Sequence, residues 1–435
     1  MFDDYRGIPK QAQYLIYATI FPSLAYGMFY TDISYYLTTV QKIPDVAMGI
    51  VISLMGVSAV ISSITLGIAA DRFGKRRFLI FGNILASLII GVFAVATNIY
   101  LLYAAALVEG VSEGAFAAST NALLADKAGD MRRNSAFSLS GFVGGLAFGA
   151  GSFMIAMVAV FSSFGLSDRA SHTTLYLILA FLSLGSTLIM LKITEPPLQK
   201  QPKVVISKPP PSKSRRARIK YRAGRAKARI NELLPKKSRW VLVKFLLTSA
   251  IIAFGAGLIV PLMLRWLKVR YGLPDAIGGP ILGVANIVIG VATLAAPPLA
   301  RRIGCVNAIV LTQTLSTVFM FATPLSPDYV SASFVHTLRA FLMNMANPLQ
   351  QSMIMGLVPQ EERGAASGIS AALWRLPNAL STVIGAYLIG IGQLATPFFL
   401  AGVFYVVSLA LFYYYFRNVT LPEEADRKTN RLNQE

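Results

Sequence analysis

Long apolar runs broken by short polar connections dominate this chain. Twelve of them predict membrane-crossing helices, at 12–38, 46–70, 76–97, 99–125, 134–162 and 173–193 in the first half. The second half repeats the pattern at 240–266, 275–300, 304–325, 329–358, 365–391 and 396–417. Each is near or above the roughly 20 residues needed to cross about 30 Å of hydrocarbon. The number and length of these runs exclude a set of buried helices in a soluble protein, because too few polar faces remain.

The two halves share a register. Pro44-Asp45-Val46-Ala47-Met48-Gly49 returns 230 positions later as Pro274-Asp275-Ala276-Ile277-Gly278-Gly279. At the same offset, Ala70-Asp71-Arg72-Phe73-Gly74 aligns with Ala300-Arg301-Arg302-Ile303-Gly304, and Arg133-Asn134-Ser135-Ala136 with Arg363-Gly364-Ala365-Ala366. A constant offset through apolar sequence predicts one six-helix unit in tandem, with a shared cleft between the copies. The expected fold is therefore all-α: twelve transmembrane helices in two pseudo-symmetric six-helix bundles. The expected division is 1–193 for the first bundle, 194–238 for a basic, Pro-containing linker, 239–418 for the second bundle and 419–435 for a polar tail.

Composition agrees. The 435 residues are 55% hydrophobic and 14% charged, against about a quarter charged in soluble domains. Of the net charge of +20, much comes from about fifteen Lys and Arg between Lys200 and Arg239. That linker opens with Pro209-Pro210-Pro211, which resists helix, and after Ser214 its basic sequence suits anionic lipid headgroups. Nucleic-acid binding is not expected of a loop tethered to a membrane with one aromatic, Tyr221. The loops carrying Arg72, Lys75, Arg76, Arg77, Lys127, Arg132, Arg133, Arg301, Arg302 and Arg363 fall on the side of both termini. The opposite loops hold few charges, such as Lys42, Asp168 and Arg169. Basic residues favour the cytoplasm, so both termini are expected there, in a multi-pass plasma-membrane protein. A lone Cys305 excludes an intrachain disulfide, and no cleavable signal stands out at the N-terminus.

Between spans two and three lies Gly67-Ile-Ala-Ala-Asp71-Arg72-Phe73-Gly74-Lys75-Arg76-Arg77. The positive-inside rule accounts for its bases but not for the spacing of Gly67, Asp71 and Gly74. Here the chain resembles the major facilitator superfamily, matching its loop signature at Gly67, Asp71, Arg72, Gly74, Lys75 and Arg76. The resemblance extends over about 12–417. It implies two facing bundles, alternating access between them, and a gating role for Asp71 against the facing bundle, near Gly364 to Ser367. Arg301 and Cys305 replace Asp71 and Lys75 in the second copy, so only the first half is expected to carry this latch. Gly141, Gly145 and Gly149 recur every four residues in span five. They are expected to form one close-packing face, similar to the family's antiporter Gly ladder, although Ala150 stands where its Pro would be.

Ionisable residues at mid-membrane depth cost about 2.5–3.5 kcal/mol on insertion scales and mark function. Glu109 and Glu113 lie one turn apart on span four. Arg339 lies in span ten and Arg375 in span eleven beside Trp374. At 1.5 Å per residue, Glu109 sits about 14 Å from its span's outer end, and Arg339 is similarly deep. Glu109 and Arg339 are 230 positions apart, hence repeat equivalents, expected on opposite walls of one cavity. In the family, spans one, four, seven and ten line that cavity. The same residues also allow static Glu109–Arg339 or Glu113–Arg375 pairs that only hold the bundles in register. Asp32, late in span one, is a further proton-coupling candidate but is placed near the outer surface, solvated. His336 is expected to be interfacial. Asn121, Asn347, Gln351, Tyr30, Trp374, Arg339 and Arg375 are the candidate solute-binding residues, while Tyr26, Tyr35 and Tyr36 suit interface anchors better.

The expected function is a secondary transporter, working as a monomer, that exchanges a small organic solute for protons at Glu109, Glu113 and Asp32. Export is favoured by the glycine face. The alternative is an importer or exchanger of organic anions or sugars that uses Arg339 and Arg375. No cofactor or metal is expected. With two His and one Cys, no His/Asp/Glu cluster at ligand spacing appears, which disfavours a membrane enzyme. The absence of a Gly-x-x-x-x-Gly-Lys-Ser/Thr loop disfavours an ATP-driven pump.

Overall fold

The computed structural model describes residues 7–195, 239–358 and 363–418. These form helices and connecting turns, with no strand among them. Span one is two helices, α1 (Lys10–Ala18) and α2 (Ile20–Tyr35), followed by a π turn at Tyr36–Val40. Then come α3 (Asp45–Phe73), α4 (Lys75–Val95), α5 (Ile99–Phe153), α6 (Met157–Ser163), α7 (Asp168–Gly185) and α8 (Thr187–Met190). The second half comprises α9 (Arg239–Gly257), α10 (Met263–Tyr271), α11 (Asp275–Ile303), α12 (Cys305–Ala322), α13 (Tyr329–Leu357), α14 (Arg363–Gly390) and α15 (Thr396–Phe416). Among the described residues, eight segments are long and apolar enough to cross a membrane. The other four expected spans are also helical: α1 with α2, α11, α13 and α14.

Several boundaries differ from the sequence expectation. Spans four and five were expected with a loop between them, yet helical turns run from Ile99 to Phe153 with no separate loop, and the reversal between the spans is made within them. The chain still doubles back: Glu109 reaches Tyr30 of α2, while Phe148 backs onto Gly27 of the same helix. Span five then breaks at a 3₁₀ turn, Met154–Ala156, and span seven at another, Val260–Leu262, where Pro261 removes a donor.

The repeats are visible in the turns. Gly74 and Gly304 adopt φ of +107° and +88°, a region in which side chains clash. Each glycine alone joins two long helices. Pro44 and Pro274 precede α3 and α11, whose first residues are Asp45 and Asp275. Asn98 caps α5 by accepting from Tyr100 N at 2.9 Å. Asp328 caps α13 by accepting from Ser331 N and Val330 N at 2.9 and 2.8 Å. Those bonds, with the Ser331 hydroxyl, hold its carboxyl below the usual carboxylate range.

Within the first bundle α5 packs on α2, α3 and α4; within the second, α13 packs on α11 and α12, and α9 on α14 and α15. Between bundles, α3 meets α14 and α5 meets α11. The apolar cores are distributed unequally. Toward the face bearing Ile8, Leu79 and Met190, hereafter the terminal face, the first bundle has its own core, and the second has a separate one around Leu242, Ile309 and Phe412. At the far face a single core crosses the boundary, joining Tyr36, Phe93 and Tyr176 to Trp266, Leu267 and Phe398. The bundles are thus fused at the far face and separately packed at the terminal face.

Glycines make the close crossings, though not all the expected ones. Among Gly141, Gly145 and Gly149, only Gly149 is packed tightly, against Ile287 and Gly283 of α11; nothing lies within 4 Å of where a Cβ on Gly141 or Gly145 would stand. The expected three-glycine face is corrected to one contact. The tight crossings lie instead at Gly151, whose Cβ would run into the Leu24 carbonyl, and at Gly385, against that of Leu258. Glycine and facing carbonyl recur together, 151 with 24 and 385 with 258, four residues off the 230 register, so periodicity along span five did not reveal them.

Gly151→Ala should destabilise the protein by about 1–3 kcal/mol through overpacking, read as a lower thermal midpoint in detergent. Gly145→Ala should stay within about 0.5 kcal/mol of the parent. Equal effects at both positions would contradict the packing described.

Candidate functional site

The buried mid-membrane charges converge near α2. Tyr30 projects its hydroxyl between two carboxylates, 2.9 Å from Glu109 Oε1 and 3.1 Å from Glu113 Oε2. A phenol has one hydrogen, so it can donate fully to one carboxylate at a time. Tyr26, one turn earlier, stacks on Tyr30 with ring centroids 5.5 Å apart. Glu109 is completely buried, and its Oε2 has no hydrogen-bond partner among the described residues. Glu113 instead pairs with Arg375 of α14 in the other bundle, and the two side chains are 21% and 47% exposed. A continuous chain results: a water-accessible ion pair, a phenol, and a buried carboxyl.

The ring of Tyr30 also lines a cavity of about 190 Å³ between the bundles, with Thr31 and Phe148 from one and Asn286, His336, Arg339 and Asn344 from the other. Arg339 is 4% exposed and lies against Tyr405. Its Nε has no hydrogen-bond partner, and among the described residues no carboxylate is within ion-pair distance. Of the two static pairs that the sequence allowed, Glu109–Arg339 does not form. Repeat symmetry places both groups at equivalent depths, but α2 interposes Tyr30, which takes up Glu109. The pair that forms is Glu113–Arg375.

Other expectations need correction. His336 is buried in the cavity wall, not interfacial, and its Nδ1 is unpartnered. Asn121, Asn347 and Gln351 are exposed and do not line the cavity; Asn347 donates to Asn344 Oδ1 at 2.9 Å. Trp374 packs partly buried against the shared core and is likewise absent from the cavity wall. Tyr35 and Tyr36 are buried, not anchored in an interface.

Asp32 is not at a solvated helix end. It is fully buried, accepting a hydrogen bond from Tyr176 at 3.1 Å and lying 3.9 Å from His172 Nε2. His172 Nε2 is 2.7 Å from Asp275 Oδ2. The structure thus assembles Asp32, His172 and Asp275 within 4.8 Å of one another, correcting the expectation that no such cluster exists. Its members are too far apart in sequence to show as a spacing. His172, Asp275 and Arg265 are the residues that sequence reasoning missed. Arg265 grips Asp45 across the bundles, Nε to Oδ1 at 2.7 Å and Nη2 to Oδ2 at 2.9 Å. The available signal was the repeated Pro-Asp at the head of α3 and α11.

At the terminal face, Gly74 ends α3 and Glu195 receives the backbone N–H groups of Lys75 and Arg76 at 2.8 and 3.2 Å. A carboxylate there matches the positive end of α4. Lys75 pairs with Asp126 at 2.7 Å, and Arg76 donates to the Leu191 carbonyl. Gly67 faces Ala118 of α5 in ordinary contact. The side chains of Asp71, Arg72 and 364–367 lie outside the described residues, as does the basic linker from 196.

Two facing bundles around a mostly apolar cavity with a few convergent polar groups are the arrangement of membrane solute carriers. The chain matches the model of the Major Facilitator Superfamily over residues 15–382 and again over 335–434, and it belongs to that family of transporters. It is 23% identical over 376 residues to the Saccharomyces cerevisiae "Uncharacterized membrane protein YJR124C", covering 79% of this chain and 83% of that one. Among solved structures, the nucleoside transporter NupG superposes with a TM-score of 0.72 at 16% identity, over 94% of this chain and all of that one. The D-xylose-proton symporter gives 0.68 at 13% identity, over 92% and 97%.

A double-mutant cycle on Glu113→Gln and Arg375→Gln, read by thermal stability, should give a coupling of about 0.5–1 kcal/mol, as befits a partly exposed pair. A coupling of zero would leave this pair no share in holding the bundles together.

Proposed function

We propose that this protein is a secondary transporter that moves a small organic solute by alternating access, coupled to protons at Glu109 and Glu113. The carrying observation is the Tyr30 hydroxyl set between the two carboxyls. With both ionised, Glu113 keeps Arg375 and the single phenol hydrogen must serve Glu109, with no donor to spare. With one protonated, that carboxyl can itself donate and the phenol can serve the other, so the trio accommodates a changing proton count without rearranging its backbone. Glu113 and Arg375 reach water, and Tyr30 connects them to Glu109. Proton loading at Glu113 is therefore felt at Glu109 and in the cavity wall that Tyr30 forms. Arg375 competes with the proton for Glu113, since a guanidinium favours the ionised acid.

The bundles are assigned to residues up to 193 and from 239, joined by the basic segment. The terminal face is cytoplasmic by its basic loops. The far-face fusion then corresponds to an inward-facing arrangement, and the turn at Gly74 to Arg76, held by Glu195 and Asp126, belongs to the gate on the cytoplasmic side. The protein acts as a monomer in the plasma membrane, and proton-driven export is the favoured direction.

A second reading has its own support. Arg339 is a buried guanidinium with no described acid in reach, flanked by His336 and Asn344. An organic anion would supply the missing charge, and the human organic anion transporter MFSD10 (TETRAN) shares the fold at a TM-score of 0.63. In this reading Arg339 binds the solute's anionic group within either an exchanger or an importer.

Proteoliposomes screened for solute flux with and without a pH gradient separate the readings. In Glu109→Gln, gradient-driven accumulation should fall at least about tenfold, while counterflow of labelled against unlabelled solute, which moves no net protons, persists. Accumulation unchanged by this substitution would remove Glu109 from coupling. Loss of solute competition in Arg339→Gln with coupling intact would favour the anion carrier.

A further inference from the structure

The repeated Pro-Asp marks more than a duplication. Asp45 opens α3 in the first bundle and reaches Arg265 in the second. Asp275 opens α11 in the second and reaches His172 in the first. Both contacts lie at the far face, in the zone where one apolar core joins the bundles. Two equivalent acids thus clasp the opposite bundle, each through a different base. The guanidinium of Arg265 keeps its charge at every physiological pH, and the imidazole of His172 does not.

The hydrogen-bond inventory of the second clasp is constrained. His172 Nδ1 is 2.8 Å from the Asp168 carbonyl oxygen, which can only accept. Nδ1 therefore carries a hydrogen. In a neutral imidazole Nε2 would then present a lone pair toward Asp275 Oδ2 at 2.7 Å, and an ionised carboxylate would face it with another. Contact at that distance requires one proton between them, whichever atom holds it. Asp32 adds a second carboxylate 3.9 Å from the same Nε2, with one oxygen bonded to Tyr176 and the other unpartnered.

We propose that His172, Asp275 and Asp32 form a second proton-binding site, distinct from Glu109 and Glu113, whose proton holds the far face shut. The site lies between α2, α7 and α11. Asp32 faces His172 from α2, whose end also brings Tyr35 and Tyr36, both stacked on the imidazole. From its own helix come Asp168, Tyr176 and Arg169; Arg169 points away toward the Val95 carbonyl of α4. Asp275 faces it from α11, and Lys268 of α10 lies over the ring of Tyr35, 5.6 Å from its centroid. No other charged side chain among the described residues is placed against the ring. Removing the proton leaves two buried carboxylates against an imidazole lone pair, an arrangement that separation of α11 from α7 relieves by admitting water. The Asp45–Arg265 clasp is unaffected, so it sets the geometry of closure while the His172 site sets its pH dependence. Protons taken up from the far side would then favour closure of that side, which orders proton binding before the change of access.

This inference rests on the alternating-access reading but not on the roles of Glu109 and Glu113. The test uses spin labels on Phe164→Cys in the first bundle and Val330→Cys in the second, both exposed at the far face, on a Cys305→Ser background. Inter-label distances are measured between pH 5 and pH 9. The parent should show the short distance at pH 5 and a growing long-distance population at pH 9. Asp275→Asn, whose amide donates to Nε2 without a titrating proton, should keep the short distance throughout. Asp275→Ala should show the long population at both extremes. Distances in the parent that ignore pH, or a parent-like response in Asp275→Asn, would overturn the proposal. Glu109→Gln should retain the pH response even where it abolishes coupled transport. Loss of the response in that variant would assign it to the central cavity instead, and the second site would fall.

Discussion

A charge inside a bilayer must be met by protein, because lipid offers it nothing. The arrangement of this molecule follows from that constraint. Its described mid-membrane charges are few, and each is turned inward between helices. Glu109 is completely enclosed, Glu113 meets Arg375, Asp32 meets Tyr176 and His172, and Arg339 is 4% exposed beside Tyr405. The outer faces carry apolar side chains such as Phe181, Leu188 and Phe334. Since burying a charge requires elements from more than one helix, the same groups that cost most to place also determine which helices must converge.

Apolar cores and glycine crossings fix the helices inside each bundle and also join the bundles, as where Gly56 meets Ala379 and Gly149 meets Ile287. Across the boundary, polar pairs are prominent: Asp45–Arg265, Asp275–His172 and Glu113–Arg375. Partly exposed ion pairs add little net stability, and buried ones are offset by desolvation. Such pairs make the boundary specific in register while adding little to its net cost of separation, which suits the proposed alternation between arrangements. The shared apolar core joins the bundles at the far face, and in the proposed cycle its loss on opening would have to be compensated.

Much of this was legible in the sequence. Apolar run lengths gave the helices, and the 230-residue offset gave the duplication. The depth of Glu109, Glu113, Arg339 and Arg375 singled out the charged interior. What the sequence did not yield were rotations and partners. Glu109 and Arg339 are equivalent by offset, but symmetry of position is not contact, and Tyr30 from a third helix decided the outcome. Asp32 is enclosed rather than solvated because α7 begins five residues earlier than expected and brings His172 and Tyr176 against it. The glycine ladder failed for a similar reason: a period of four aligns Gly141, Gly145 and Gly149 on one face, and only the last lies where α11 crosses.

The two copies are informative where they diverge. Duplication alone would give two identical clasps, two identical turns and a cavity with matching walls. The turns did remain alike, since Gly74 and Gly304 answer a backbone requirement that the sequence cannot satisfy otherwise. The charged positions did not. An acid at 109 became a base at 339, and the bases that answer Asp45 and Asp275 became an arginine and a histidine. Backbone geometry is symmetric because both bundles solve the same packing problem. Charge is asymmetric, and under the proposed proton coupling that asymmetry has a use: a cavity with equal walls, or a boundary with equal clasps, would respond to proton-loaded and proton-free states in the same way.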